Sequence, residues 1–245
     1  MLATIVNAVA IVVGTSLGLV LRTRLADRYR TVVFTGVGVA SLLIGISMAL
    51  QTQRFLYLVL ALIIGGIAGT ALRIHEAVHA LGVRLRRGFD SLGDAGERQQ
   101  IAESATERFA EGFLTASVLF CVGAMAIIGS FEAGVEGDAQ LLLVKSVMDG
   151  TIAVFLTAAY GLGVGFSALT VLVYQGVLTL IAGAVAPVVS PLMLSEVSGV
   201  GGAMVVMIGL NLLELAHIKT ADYLPALVIV AGLVLIDPWL SFLAL

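Results

Sequence analysis

Charge is scarce in this chain. Asp, Glu, Lys and Arg together make up 12% of its 245 residues, while hydrophobic residues make up 60%, a balance that excludes an ordinary water-soluble globule. Basic residues are not in excess either. The formal net charge of -3 leaves no basic face large enough to neutralise a row of phosphates, so nucleic acid is excluded as a partner. Cysteine occurs once, at Cys121 within an apolar run, and neither an intrachain disulfide nor a cysteine cluster can form. The first apolar run has no basic segment ahead of it and continues from Met1 to Leu21, long for a signal-peptide core, so it reads as a retained span. With a mean hydropathy of +1.10, the solvent these absences leave is lipid.

What the sequence does have is apolar runs of about 20 residues, the length that crosses a hydrocarbon core. They fall near Leu2 to Leu21, Thr31 to Leu50, Phe55 to Leu72, Phe109 to Ser130, Leu141 to Gly165, Ala168 to Pro187, Ala203 to Ala216 and Leu224 to Leu243. The expected fold is an all-α polytopic membrane protein, a single integral membrane domain over 1–245 with about eight transmembrane helices. The seventh run is short and the fifth carries charge, so seven crossings plus a re-entrant segment is the alternative. Eight spans place 11 of the 13 basic residues on one face and only Arg54 and Lys145 on the other. By the positive-inside rule the first face is cytoplasmic, and both termini are expected outside it. The segment Arg73 to Arg108, with six basic and six acidic residues, is then a cytoplasmic connector. Within it Ile101 to Phe113 has the spacing of an amphipathic helix leading into the fourth span.

Two stretches resemble each other. Thr35-Gly36-Val37-Gly38, followed by Leu42 to Ile46, recurs as Ser198-Gly199-Val200-Gly201, followed by Val205 to Leu210, with one extra residue. Five spans separate the start of the first helix from that of the sixth, so helices 1–3 and 6–8 would form an inverted repeat. Asn7 and Gln175 sit at comparable depths in the helices that open the two units, as helix-to-helix hydrogen-bonding groups or ligand contacts. Lys145 and Asp149, four apart, share one helical face and read either as a structural ion pair or as part of an ion or substrate pathway. Asn211 and Glu214, three apart near the inner end of the seventh run, read as pathway groups or as residues reaching to water. Gly199, Gly201 and Gly202 follow Pro187 and Pro191, which suggests irregular backbone whose amides face a ligand, or a plain loop. Glycine pairs four apart, at Gly14 and Gly18, Gly65 and Gly69, and Gly161 and Gly165, suit close helix packing, within one subunit or in a homo-oligomer.

His75-Glu76-Ala77-Val78-His79 fits H-E-x-x-H, the helical motif of zinc hydrolases. The eight-span topology puts it across the membrane from Asp149, with no third ligand nearby. It therefore reads as a chance match, and no enzyme activity, metal or cofactor is expected.

Longer strings carry a resemblance. Gly123 to Gly129, Gly137-Asp138 with Lys145 and Met148-Asp149-Gly150, Gly163 to Ala168, and Tyr174-Gln175-Gly176 resemble the central signature of the bacterial YdfK/YqgA-like membrane family, domain of unknown function 554. Asn7-Ala8, Gly14 and Gly18 extend the resemblance at the start, and Gly199 to Gly202, Ile208 to Asn211 and Leu224-Pro225-Ala226 extend it at the end. It implies a multi-pass protein of the bacterial inner membrane and is silent on activity. The residues themselves point to a transporter or permease for a small solute or ion. The alternative is a non-transporting scaffold or regulator acting through its cytoplasmic connector.

Overall fold

A computed structural model describes residues 1–24, 27–90, 99–121, 124–185, 187 and 189–237, and every element among them is helical. The elements are α1 (Leu2–Arg24), α2 (Asp27–Ala49), α3 (Phe55–Ala71), α4 (Ile74–Asp90), α5 (Gln99–Cys121), α6 (Ala124–Phe131), α7 (Gln140–Tyr160), α8 (Gly163–Val185), α9 (Pro191–Leu212) and α10 (Leu224–Leu235). A π-helical turn (Glu132–Glu136) extends α6, and a 3-10 turn (Thr220–Tyr223) precedes α10.

Four helices, α1, α7, α8 and α9, are each long and apolar enough to cross a bilayer. Two bent pairs raise the number to six: α3 with the start of α4, bent by 61°, and the end of α5 with α6 and its π turn, bent by 56°. The eight crossings expected from the sequence are reached only if two shorter apolar pieces, Phe34–Ala49 and Thr220–Leu235, also span.

Two boundaries differ from those the hydropathy suggested. The fifth run ends at Tyr160 rather than Gly165, because Gly161 takes a φ of 89° that breaks the helix, and Gly163 and Gly165 open α8. Gly161 and Gly165 therefore do not form a packing pair on one helix. The seventh run is not a short helix behind irregular backbone. Ser190 accepts a hydrogen bond from the Met193 amide at 3.1 Å and Pro191 occupies the first turn, so the two together start a 22-residue helix that runs unbroken through the glycines. It ends at Leu212, before Glu214, whose φ of 56° lies in the turn that follows. The connector also contains more structure than expected: α4 occupies its first half, and α5 runs continuously from Gln99 through the amphipathic stretch into the fourth apolar run.

The molecule is apolar outside, and its interior sets polar side chains among apolar clusters. Val147, Leu180, Ile67 and Leu43 are each at least 65% exposed, while Asn7, Ser146, Asp149, Thr157, Ser167, Gln175, Glu196 and Ser198 are buried. In water that arrangement would expose a large apolar surface and bury groups that need partners; in lipid both costs vanish or reverse.

Small residues set the helix contacts. α1 lies against α7, with Gly14 facing Gly150 and Ala153, and Gly18 facing Val154 and Thr157, so the two helices run in the same direction. α8 runs the other way past α1, pairing Asn7 with Gln175 and Thr15 with Gly165. α2 and α9 are also opposed. A β-carbon on Gly45 would sit 2.6 Å from the Val206 amide nitrogen, one on Gly202 would sit 2.6 Å from the Gly45 carbonyl oxygen, and Gly38 and Gly209 approach each other one end further on. α3 meets α10 through Gly65 at Ala226 and Gly69 at Asp222. The Gly14/Gly18 and Gly65/Gly69 faces are thus occupied within one chain.

Candidate functional site

Four of the residues singled out in the sequence meet at one point. On α7, Lys145 and Asp149 form an ion pair one helical turn apart, through Asp149 Oδ2. From α1, Asn7 Nδ2 donates to the same Oδ2 at 2.9 Å and to Gln175 Oε1 on α8 at 3.2 Å. All four are buried, with Asn7 and Gln175 at 0% exposure. At ~1.5 Å per residue, Asp149 lies about 14 Å along α7 and Gln175 about 15 Å from the end of α8, while Lys145 and Asn7 lie about 8 Å along α7 and α1, so the cluster reaches from a quarter to half of the way into a hydrocarbon core.

The contact depends on helix direction. α7 runs with α1 and α8 runs against it, so Thr4, one turn before Asn7, and Thr179, one turn after Gln175, lie on the side of the Asn7–Gln175 contact toward the start of α7, where Thr179 meets Gly134 of the π turn. Thr4 Oγ1, Asn7 Oδ1, Gln175 Nε2 and Thr179 Oγ1 are buried atoms without a hydrogen-bond partner among the described residues. An unsatisfied polar group costs ~1–3 kcal/mol, so several in one place mark a site built for something other than packing. The two threonines escaped the sequence reading, although their spacing from Asn7 and Gln175 was a signal that could have found them.

The other expected residues do not join this cluster. Gly199 and Gly202 are helical and buried within α9, against Thr52 and against Gly45 and Ala49, and Gly201 is buried between them; their amides belong to the helix and do not face a ligand. Close approach of α2 and α9, not irregular backbone, is what those glycines serve. Asn211 closes the loop after α9 by donating to the Ile218 carbonyl and accepting from the Ile218 amide, both at 2.8 Å. Glu214 is exposed in the following turn rather than inside a span. Both line a separate cavity of about 660 Å³ at the far end of the molecule, together with His75, His79, Arg108 and Lys219.

The H-E-x-x-H segment opens α4 beside that cavity. The His75 and His79 rings stack at 6.5 Å, while Glu76 accepts from Lys219 at 2.6 Å. Among the described residues no three His, Cys, Asp or Glu side chains come together to hold a metal ion. The Glu76 carboxyl is held below its usual range by the hydrogen bond from Lys219, and the Lys219 ammonium is held above its own by the same bond. Burial lowers the His75 imidazole, against the opposing charge of Asp222. Asp222 Oδ1 also accepts from the His75 amide at 2.9 Å and fixes the start of α4.

A further buried carboxylate was not anticipated. Glu196, fully buried on α9, accepts from Thr52 Oγ1 at 2.5 Å and from the amides of Gln53 and Arg54 at 2.7 and 2.8 Å. It satisfies free donors at the start of α3. A lone Glu in the apolar stretch Pro191 to Leu212 was the signal for it.

An all-helical protein with apolar helices of spanning length and charge buried between them is a membrane protein. The chain belongs to the family described as Protein of unknown function (DUF554), whose family model matches residues 2–235. It is 28% identical to the Uncharacterized membrane protein YdfK of Bacillus subtilis (strain 168) over 233 residues, which cover 94% of this chain and 93% of that protein. It is also 28% identical to the Uncharacterized protein YqgA of Escherichia coli (strain K12) over 224 residues, 91% of this chain and 92% of that one. No solved structure matches the chain.

Proposed function

We propose that the protein is a transporter for a small solute or ion in the bacterial cytoplasmic membrane, with the Asn7, Lys145, Asp149 and Gln175 cluster as its central site. The observation that carries this reading is a buried ion pair in one half of the spanning helices, bonded to Asn7 and through it to Gln175, each of which also keeps a buried polar atom that no described residue satisfies. Charge in such a place is costly and marks pathways more often than packing.

The proposed scaffold has eight crossings and two inverted three-helix units, α1–α3 and α8–α10. The pairs α1/α8, α2/α9 and α3/α10 each run in opposite directions, as units of opposite orientation require, and α1 and α7 run alike, as first and fifth crossings must. Gly38 and Gly45 on α2 and Gly202 and Gly209 on α9 have the same seven-residue spacing and meet crosswise, which suits a two-fold axis between the helices. Asn7 and Gln175 meet between α1 and α8, the opening helices of the two proposed units. A binding site there can be reached from either face by rocking one unit against the other.

The test is solute uptake by purified protein in liposomes against a panel of amino acids, organic acids, amines and inorganic ions. Wild-type protein is expected to give saturable uptake of one class, and Asp149→Asn, purified folded, to lose net accumulation. Full net uptake in Asp149→Asn would remove Asp149 from the mechanism. The second reading, a scaffold, draws on α4, a helix of the connector with Leu81 exposed; it predicts silence across the panel and loss of function on deleting that connector.

A further inference from the structure

On the transporter reading above, we infer that the site carries a small monocarboxylate together with one proton, with Asp149 as the proton carrier and Lys145 as the carboxylate receptor. Charge balance at the site and its unpartnered hydrogen-bonding atoms favour that cargo.

The site is neutral as it stands, one ammonium against one carboxylate. Nothing else within it is ionised. α1 contributes Asn7, α8 contributes Gln175, and the segment Phe34 to Ala49 of α2 has no ionisable side chain. α5 brings the Cys121 thiol into the electrostatic neighbourhood of both charges. The π turn packs Gly134 on Thr179 and Ala182, so Glu132 and Glu136 lie at the outer edge of the site beside Thr179, near the start of α7, Glu132 half-buried and Glu136 exposed.

A buried site keeps its net charge near zero because an uncompensated charge at that depth is strongly disfavoured. A proton bound to an Asp149 carboxylate oxygen breaks the ionic hydrogen bond to Lys145 and leaves a single buried positive charge. One monovalent anion restores neutrality; a dianion, or an anion without the proton, leaves the site negative. A cation would have to face the ammonium.

The unpartnered atoms point the same way. Gln175 Nε2 is a donor, Thr4 and Thr179 each hold a hydroxyl hydrogen free to give, and Lys145 gains its own donors when Asp149 is protonated. Asn7 Oδ1 is the single unpartnered group in the cluster that can only accept. Gln175 Nε2 beside the Asn7–Asp149–Lys145 chain, with the two threonine hydroxyls toward the start of α7, offers donors suited to the oxygens of a carboxylate. The proton leaves Asp149 when the anion leaves, the Lys145–Asp149 pair re-forms, and no group is oxidised or reduced.

The experiment uses full-length protein in liposomes holding a pH dye, with lactate, pyruvate and glycolate as probes, protein-free liposomes as the control, and membrane voltage clamped by potassium and valinomycin. The expected result is saturable carboxylate uptake, lumen acidification at one proton per anion, and a rate independent of the clamped voltage. Asp149→Asn should lose uptake driven by a pH gradient yet retain counterflow exchange of labelled carboxylate, because it mimics the protonated state. Lys145→Met should lose both activities and Lys145→Arg should recover exchange. Gln175→Leu with Thr179→Val should raise KM while leaving proton stoichiometry unchanged. Wild-type transport of cations, zwitterions, chloride or nitrate in place of carboxylates would overturn the inference and leave the transporter standing, as would carboxylate uptake that follows voltage or moves no proton. Silence of the wild type across the whole solute panel would instead remove the transporter reading itself. The wild-type proton count and voltage response decide the matter even if a variant fails to fold.

Discussion

Asp149 and Lys145 were legible as a pair because a separation of four on a helix is local, but their partners were not. Asn7 and Gln175 lie 168 residues apart, and the Asn7–Asp149 bond spans 142, so only the packing of α1, α7 and α8 could reveal that they meet. Glu196 was missed for a related reason: a carboxylate inside an apolar helix is explained only by the donors it reaches, here on the distant 52–54 segment. Glu196→Ala leaves those part-buried donors without their acceptor, and is expected to destabilise the protein by about 1–2 kcal/mol. Glu196→Gln, which keeps an acceptor, should lose less. Thermal unfolding in detergent reads both, and equal midpoints for wild type and Glu196→Ala would show that the carboxylate holds nothing. A pH effect belongs to Glu76 and Lys219. The folded Glu76 carboxyl is depressed, so its contribution is present above its unfolded value near 4.5 and is lost as pH falls through the folded value. The folded Lys219 ammonium is raised, so its contribution is present below 10.5 and is lost as pH rises through the folded value. Lys219→Met is therefore expected to move the Glu76 titration back up toward 4.5, as followed by carboxyl carbon NMR.

Helix contacts carry a different kind of information from side-chain chemistry. The sequence showed that Gly14/Gly18 and Gly65/Gly69 were packing faces, since a small residue every fourth position is a local pattern, but it could not say which helix each face would meet. It also misled at Gly199 to Gly202. Three glycines after two prolines look like broken helix from composition alone, whereas Ser190 and Pro191 form a helix start and the glycines let α2 approach. The distinction can be tested. Gly45→Leu and Gly14→Leu force side chains into backbone that cannot withdraw, at a cost of about 2 kcal/mol or more in overpacking. Gly36→Ala and Gly232→Ala, where a β-carbon meets nothing, should leave the unfolding midpoint unchanged or raise it slightly. If all four variants behave alike, the close contacts of α1 with α7 and of α2 with α9 do not govern stability.

At the scale of the whole molecule, the proposed eight-crossing topology draws on basic-residue bias and on relative helix direction, two independent starting points. The bias depends only on where Lys and Arg fall in the loops, and the directions depend only on which backbone atoms touch. Both assign α2 and α9 to opposite directions and the 50–54 loop to the face opposite Lys219. The six-span count omits the two shorter apolar pieces, and if Phe34–Ala49 does not cross, Gln51 returns to the face of Arg24. Single cysteines in a Cys121→Ser background separate the two cases, because Gln51, Asp138, Ala80 and Leu215 are all exposed. Eight crossings predict that Gln51→Cys and Asp138→Cys react with a membrane-impermeant maleimide added to intact cells. Ala80→Cys and Leu215→Cys should react only after the cells are opened. Reaction of Gln51→Cys only after the cells are opened, with Ala80→Cys reacting from outside, would put Gln51 on the face of Arg24, leave α2 without a crossing, and take with it the opposed orientation of the two three-helix units on which alternating access to Asp149 depends.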